Sequence, residues 1–125
     1  MCGPSRVGRV VILEDPDNGW FAPPYYVAIL STLLSGEDSE NHTRTEARML
    51  ELAEKQPGYL GRESSRTADG RDVTLVYYAD EQSLKAWRDS PDHRHAQRLG
   101  RERWYASYEV RIARVERSYR FETPG

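Results

Sequence analysis

From Tyr25 to Leu34 the chain is apolar, β-branched and aromatic before it stops at Ser35-Gly36, which predicts a well-buried first strand. The period then changes. Behind an N-cap at Asp38 or Ser39, Ala47, Met49, Leu50, Leu52 and Ala53 recur at helical spacing until Pro57-Gly58 ends the run. Tyr59 to Thr67 and Asp72 to Ala79 read as strands flanking Ala68-Asp69-Gly70-Arg71, and Asp-Gly between two such runs predicts an antiparallel hairpin. Asp80 caps a short helix through Leu84 and Trp87, and Ser90-Pro91-Asp92-His93 starts another. There Ser90 caps the free amides, Pro91 has the φ of a first helical residue, and Asp92 faces the positive end of the dipole. From Tyr105 onward, Tyr108, Val110 and Ile112 alternate with Glu109 and Arg111 as in a half-buried strand. Val115, Tyr119 and Phe121 fall on the opposite parity. This predicts a bulge, or a handover to a second packing surface such as a dimer partner, near Ala113.

The order β-α-β-β-α-β predicts an α+β, ferredoxin-like domain: a four-stranded antiparallel sheet with helices on one face. The third strand is apolar on both parities, with Val73, Leu75 and Tyr77 against Val76 and Tyr78, so the far face should also be covered. A second copy packed sheet to sheet would cover it and make a dimeric barrel. The domain is expected over residues 25–121, behind an extension over residues 1–24 that is rich in Pro and Gly. Within that extension Arg9-Val10-Val11-Ile12-Leu13 could add an edge strand, and Trp20-Phe21 could anchor it.

Composition narrows the function classes. One domain fits a chain of 125 residues. With 38% hydrophobic and 30% charged residues the chain is polar, so its eight Tyr, three Trp and two Phe must carry much of the burial. A polar chain this small makes a modest core, a further reason to expect a homodimer. The net charge of −2 gives no global pull toward nucleic acid or anionic membrane. No run is long and apolar enough for a membrane span, and no signal peptide is evident, so a cytoplasmic protein is expected. The single cysteine, Cys2, allows no intrachain disulfide or thiol pair for a metal. Met-Cys-Gly resembles the start of N-terminal-cysteine amidotransferases, but no other feature of that class follows it.

The chemistry concentrates between Trp87 and Tyr119. His93, Gln97 and Arg101 fall at four-residue steps on one helix face, with Trp104 and Tyr108 continuing near it, and such a face suits a pocket wall. Trp87 and Tyr26 are further wall candidates. The plainer reading gives His93 a solvated or capping contact and Arg101 a surface ion pair with Glu102 or Glu109. His95 lies about 200° around the helix from His93, so the two do not share a metal; no metal site is expected. His42, in the first turn of the first helix, could reach the pocket, but the plainer expectation is that it is exposed. RNA-recognition domains share the element order, yet Asp72-Val-Thr-Leu-Val-Tyr-Tyr-Ala79 lacks their basic and aromatic signature. Eight Arg between Arg94 and Arg120 are interleaved with Glu102, Glu109 and Glu116, more like a solvated face than a phosphate track.

The span from Tyr25 to Tyr119 resembles the antibiotic biosynthesis monooxygenase family of small dimeric α+β barrels. The resemblance is carried by Tyr26-Val27-Ala28-Ile29, Gln56-Pro57-Gly58-Tyr59-Leu60-Gly61, Leu84-Lys85-Ala86-Trp87-Arg88, Trp104-Tyr105-Ala106-Ser107-Tyr108 and Val115-Glu116-Arg117-Ser118-Tyr119, in that order. It implies a pocket between sheet and helices in each protomer, where active members carry out oxygen-dependent chemistry, among them quinone-forming monooxygenases that use no cofactor. In such a pocket His93 would take a proton from a phenol or hydroquinone and Arg101 would stabilise the anion, with Tyr26, Trp87, Gln97, Trp104 and Tyr108 around the substrate. The family also includes members without demonstrated catalysis, so a dimeric barrel that only binds a small hydrophobic or aromatic ligand is an alternative. A haem-degrading branch is another. There a helix Trp is followed ten residues later by the iron-binding His, and here Gln97 stands at that spacing from Trp87.

Overall fold

The computed structural model describes residues 22–119, 121, 123 and 124 in full and, of residues 9–13, the backbone. The elements are β1 (Arg9–Leu13), β2 (Tyr25–Leu34), α1 (Ser39–Lys55), β3 (Tyr59–Arg66), β4 (Asp72–Tyr78), α2 (Glu81–Arg88), α3 (Pro91–Leu99), a π-helical turn (Gly100–Trp104) and β5 (Tyr105–Val115). The strands form one antiparallel sheet in the order β1-β3-β4-β2-β5. The four expected strands are thus ferredoxin-like, and β1 adds a fifth at the β3 edge. Cys2, Trp20 and Phe21 lie outside the described residues.

Local chemistry sets the element ends. Asp80 Oδ1 accepts from Ser83 N at 2.7 Å to cap α2, and Ser90 Oγ accepts from His93 N at 3.2 Å to cap α3. The α1 start differs from expectation. Asp38 precedes the helix in the left-handed region, φ 53°, and its side chain makes no capping bond. That carboxylate accepts instead from Trp104 Nε1 at 3.1 Å and from Asn41 Nδ2 at 2.8 Å. Gly58, at φ +89°, turns the chain from α1 into β3, and a Cβ there would lie 2.5 Å from Ser83 Oγ.

The helices cover one face of the sheet. Registers Tyr26↔Tyr78, Ala28↔Val76 and Leu30↔Thr74 place these residues on that face, and Ala28, Val76 and Tyr78 join Ala53, Leu84 and Trp87 in a continuous core. Full burial of Leu84 and Val76 contributes on the order of 1.5–3 kcal/mol each. Tyr78 is buried completely because its hydroxyl has a partner, donating to the Ala53 carbonyl at 3.1 Å. Burial pushes the Tyr78 pKa up, with a smaller push from Tyr59. Ala47, counted above in the apolar stripe, is exposed.

The bulge expected near Ala113 is elsewhere. β5 stays in register with β2 from Ser107 to Val115, and the irregularity falls at Leu33/Leu34, opposite Ser107 and Tyr105. Val115, still paired with Tyr25, is half-buried on the sheet face opposite to that of Ile112, so the parity change needs no bulge, while Tyr119 and Phe121 past the strand are exposed. No helix among the described residues is long and apolar enough to cross a membrane.

Candidate functional site

Where the core thins between the sheet and α1, α3 and the π turn, a cavity of about 120 Å³ opens. It is somewhat smaller than the roughly 150 Å³ apolar cavity known to hold one benzene ring. Its floor is sheet: Leu30 and Thr32 of β2, Ser64 of β3, Thr74 and Val76 of β4, and Tyr108 and Val110 of β5. Met49 and Leu50 of α1, Trp87 of α2, Ala96 and Gln97 of α3, and Trp104 supply most of the roof. The walls are mainly apolar, with polar groups at a few points, as expected of a small-molecule site.

His93 is 7% exposed and stacks on Trp87, with ring centroids 4.5 Å apart. Both line the cavity. His93 Nδ1 lies 3.3 Å from the Arg88 carbonyl, which can only accept, so Nδ1 carries the proton and Nε2 keeps its lone pair. Burial lowers the His93 pKa below its ordinary value. The Arg88 carbonyl and Asp89 oppose that fall, and the Arg88 charge adds to it. A buried neutral imidazole with a fixed tautomer is a proton acceptor at neutral pH.

This shift has a measurable consequence. Because the folded pKa lies below the unfolded value of about 6.5, the unfolded state binds more protons between the two, and stability drops as the pH is lowered across that window. The contribution is complete above about pH 6.5 and is lost as the pH falls through the folded value. Denaturation midpoints should therefore drop more between pH 7 and about 5 in the native protein than in His93→Gln. Equal slopes would show that His93 is not held neutral by the fold.

Of the expected site residues, Trp87, His93, Gln97, Trp104 and Tyr108 line this one cavity. Tyr26 and Arg101 do not. Tyr26 packs on the core further along β2. Arg101 is exposed, because the helix opens into a π turn at Gly100 that carries Arg101 outward while burying Trp104 to 3%. Among the described residues Arg101 Nη1 donates to the Tyr108 hydroxyl, at 3.4 Å. His95 is exposed as well, on the other side of α3 from His93.

Glu46 was not among the expected site residues, and His42, for which the pocket was the second reading, also lines the cavity. His42 is 6% exposed, not exposed as expected, and packs edge-on against Trp104 at 5.3 Å and Tyr105 at 5.5 Å. A signal was present: His42, Met49 and Ala53 form one buried stripe of α1. Glu46 stands one turn beyond His42 at the cavity mouth, open to solvent. Neighbouring protein still strips enough water from it to raise its pKa; His42 pulls the pKa down, Asp72 raises it, and Arg62 and Arg66 lower it. Burial pushes the Tyr105 pKa to about 12, with further push from Glu46, Tyr108 and Asp72. Among the described residues no group of three His, Cys, Asp or Glu side chains is placed to hold a metal ion.

The chain matches a family model over residues 24–99, that of antibiotic biosynthesis monooxygenase. It is 43% identical over 100 residues to the uncharacterized protein YqjZ of Bacillus subtilis, covering 80% of this chain and 87% of that one. Among solved structures it resembles SnoaB, a cofactor-independent oxygenase from Streptomyces nogalater, with a TM-score of 0.62 at 15% identity, over 82% of this chain and 100% of that one. A conserved protein from Methanosarcina mazei is similar at a TM-score of 0.64 and 16% identity, over 73% of this chain and 92% of that one. At these identities the likeness is one of fold.

Proposed function

The chain belongs to the antibiotic biosynthesis monooxygenase family, and from that premise we propose that its cavity oxidises a single-ring phenol or hydroquinone with molecular oxygen, His93 acting as the general base. The observation that carries this reading is His93 itself, buried, neutral and tied through Nδ1 to the Arg88 carbonyl, with Nε2 left for a substrate proton. Removing a phenolic proton leaves an electron-rich ring anion that oxygen can attack. For hydroquinone the balance is one oxygen molecule consumed, one oxygen atom added to the ring and one water formed, giving a hydroxyquinone.

The other walls fit that substrate. Trp87 Nε1 is buried and has no hydrogen-bond partner among the described residues, so it is a donor for the developing oxyanion, and the Gln97 amide is a second. Trp104 and Tyr108 close the ring pocket. Arg101 takes a positioning role through the Tyr108 hydroxyl rather than touching the substrate. Tyr26 supports the core beneath the site. A cavity of about 120 Å³ favours a small aromatic over a porphyrin, and the likeness to SnoaB, a cofactor-independent oxygenase, supports a cofactor-free reaction. The test is oxygen uptake on hydroquinone above its own autoxidation; saturable binding of hydroquinone with no uptake would turn the reading to a ligand-binding barrel.

The proposal includes a homodimer in the cytoplasm, with no nucleic-acid or membrane partner. On the sheet face away from the helices, Ile29, Leu33, Val73 and Leu75 are all half-buried, a cluster of large aliphatic groups on one surface. Leu75→Asp would put a charge at its centre. Light scattering should then give the mass of one chain where the native protein gives two; an unchanged two-chain mass would contradict sheet-to-sheet pairing.

A further inference from the structure

The mechanism above uses one buried histidine of the cavity and leaves the other without work. His42 lines the same cavity from α1, is 6% exposed, and its Nε2 has no hydrogen-bond partner among the described residues. Its ring is held against Trp104 and Tyr105, while His93 rests on Trp87, so each histidine belongs to its own aromatic wall. Packing alone does not need that nitrogen. A phenylalanine would fill the space between Trp104 and Tyr105 without burying an unsatisfied polar atom. Glu46, one turn along α1 at the cavity mouth, interacts electrostatically with His42.

We propose that His42 is a second proton-transfer residue, acting on the ring carbon that oxygen attacks while His93 acts on the phenolic oxygen. The inference rests on the reading of the cavity as an oxidation site. After His93 has taken the phenolic proton and oxygen has added to the adjacent ring carbon, that proton returns to the peroxide, giving a hydroperoxide on a carbon that still bears hydrogen. His42 Nε2 removes that hydrogen as a proton. The C–H electron pair becomes the second bond of a new carbonyl, the O–O bond breaks, and the departing hydroxide takes the proton from His42 to leave as water. The ring carbon is oxidised, the peroxide oxygen is reduced, and both histidines end as they began. Without His42 the hydroperoxide has another exit: it expels hydrogen peroxide and leaves benzoquinone, so oxygen is consumed but not inserted.

The test compares native protein, His42→Phe, His42→Gln and His93→Gln on hydroquinone, measuring oxygen consumed, hydroxyquinone formed and hydrogen peroxide released. His42→Phe should fold at least as stably as the native protein and still consume oxygen, with hydroxyquinone per oxygen down roughly tenfold or more and hydrogen peroxide making up the shortfall. His42→Gln covers the case in which the phenylalanine ring disturbs the wall and should show the same split. A native ratio of hydroxyquinone to oxygen in either folded variant would overturn the role of His42 while leaving that of His93 intact. No uptake above autoxidation by the native protein would overturn both.

Discussion

Replacing His93 with glutamine is expected to slow oxygen consumption on hydroquinone by roughly 100- to 10,000-fold, the range a positioned general base contributes, while the protein stays folded. Glutamine keeps a polar head of similar reach but cannot take a proton. The magnitude follows from what the imidazole must do. A phenol is a much weaker acid than protonated His93, whose pKa burial lowers still further, so the transfer runs uphill. Burial weakens His93 as a base yet ensures that the neutral form predominates at pH 7. The deficit must be offset by donors to the phenolate, and the Trp87 indole and Gln97 amide are placed along the same cavity to supply them. Uptake within threefold of native in a folded His93→Gln protein would remove this residue from the chemistry.

Trp104→Ala should be the most destabilising single change at the site, by about 3–5 kcal/mol, against a total of roughly 5–15 kcal/mol for a domain. Trp104 is 3% exposed and fastens three segments. Its indole N–H donates to Asp38 ahead of α1, its carbonyl accepts from Ser35 N at 2.7 Å after β2, and its ring packs on His42. The neighbouring Arg103 carbonyl accepts from Ser35 Oγ at 2.7 Å, while the Arg103 ion pairs with Glu37 and Asp38, both at 3.5 Å, are too exposed to add much. Trp104→Phe, which keeps an aromatic ring but not the N–H, should lose less. Its deficit should shrink in acid, because the Trp104 hydrogen bond is the largest influence holding the Asp38 pKa below its usual value. A carboxylate so depressed contributes stability above its unfolded pKa and loses it as the pH falls through the folded value. Thermal denaturation of both variants decides the matter: a Trp104→Ala protein as stable as native would mean the π turn is not held by this residue.

Much of the fold was legible because its signals are local. Asp-Gly between β3 and β4, Ser90-Pro91 before α3 and Pro57-Gly58 after α1 each act through a few neighbouring atoms, so single residues mark the element ends. The departures arise where a distant partner decides. Asp38 or Ser39 was expected to cap α1, but Trp104, 66 residues away, takes the Asp38 carboxylate. Arg101 was placed on the face of His93 by extending an α-helical period, whereas the π turn at Gly100 breaks that period; a side chain at Gly100 would run into the Tyr105 ring, so the turn depends on contacts that periodicity does not record. His42 was set aside for its position near a helix end, although its register with Met49 and Ala53 was on the page. At the site, the aromatic frame was more visible than the polar groups, since Trp87 and Trp104 are large enough to be buried almost wherever the fold places them, while the use of a histidine depends on its few nearest atoms.

On the proposed reading this cavity inserts oxygen into a small aromatic ring. The most direct measurement is the mass of the product formed from hydroquinone under isotopically labelled oxygen by the purified protein. The expected product is a hydroxyquinone carrying one labelled atom, formed faster than from hydroquinone alone and lost in His93→Gln. Benzoquinone and hydrogen peroxide as the sole products, in native protein and His93→Gln alike, would contradict it.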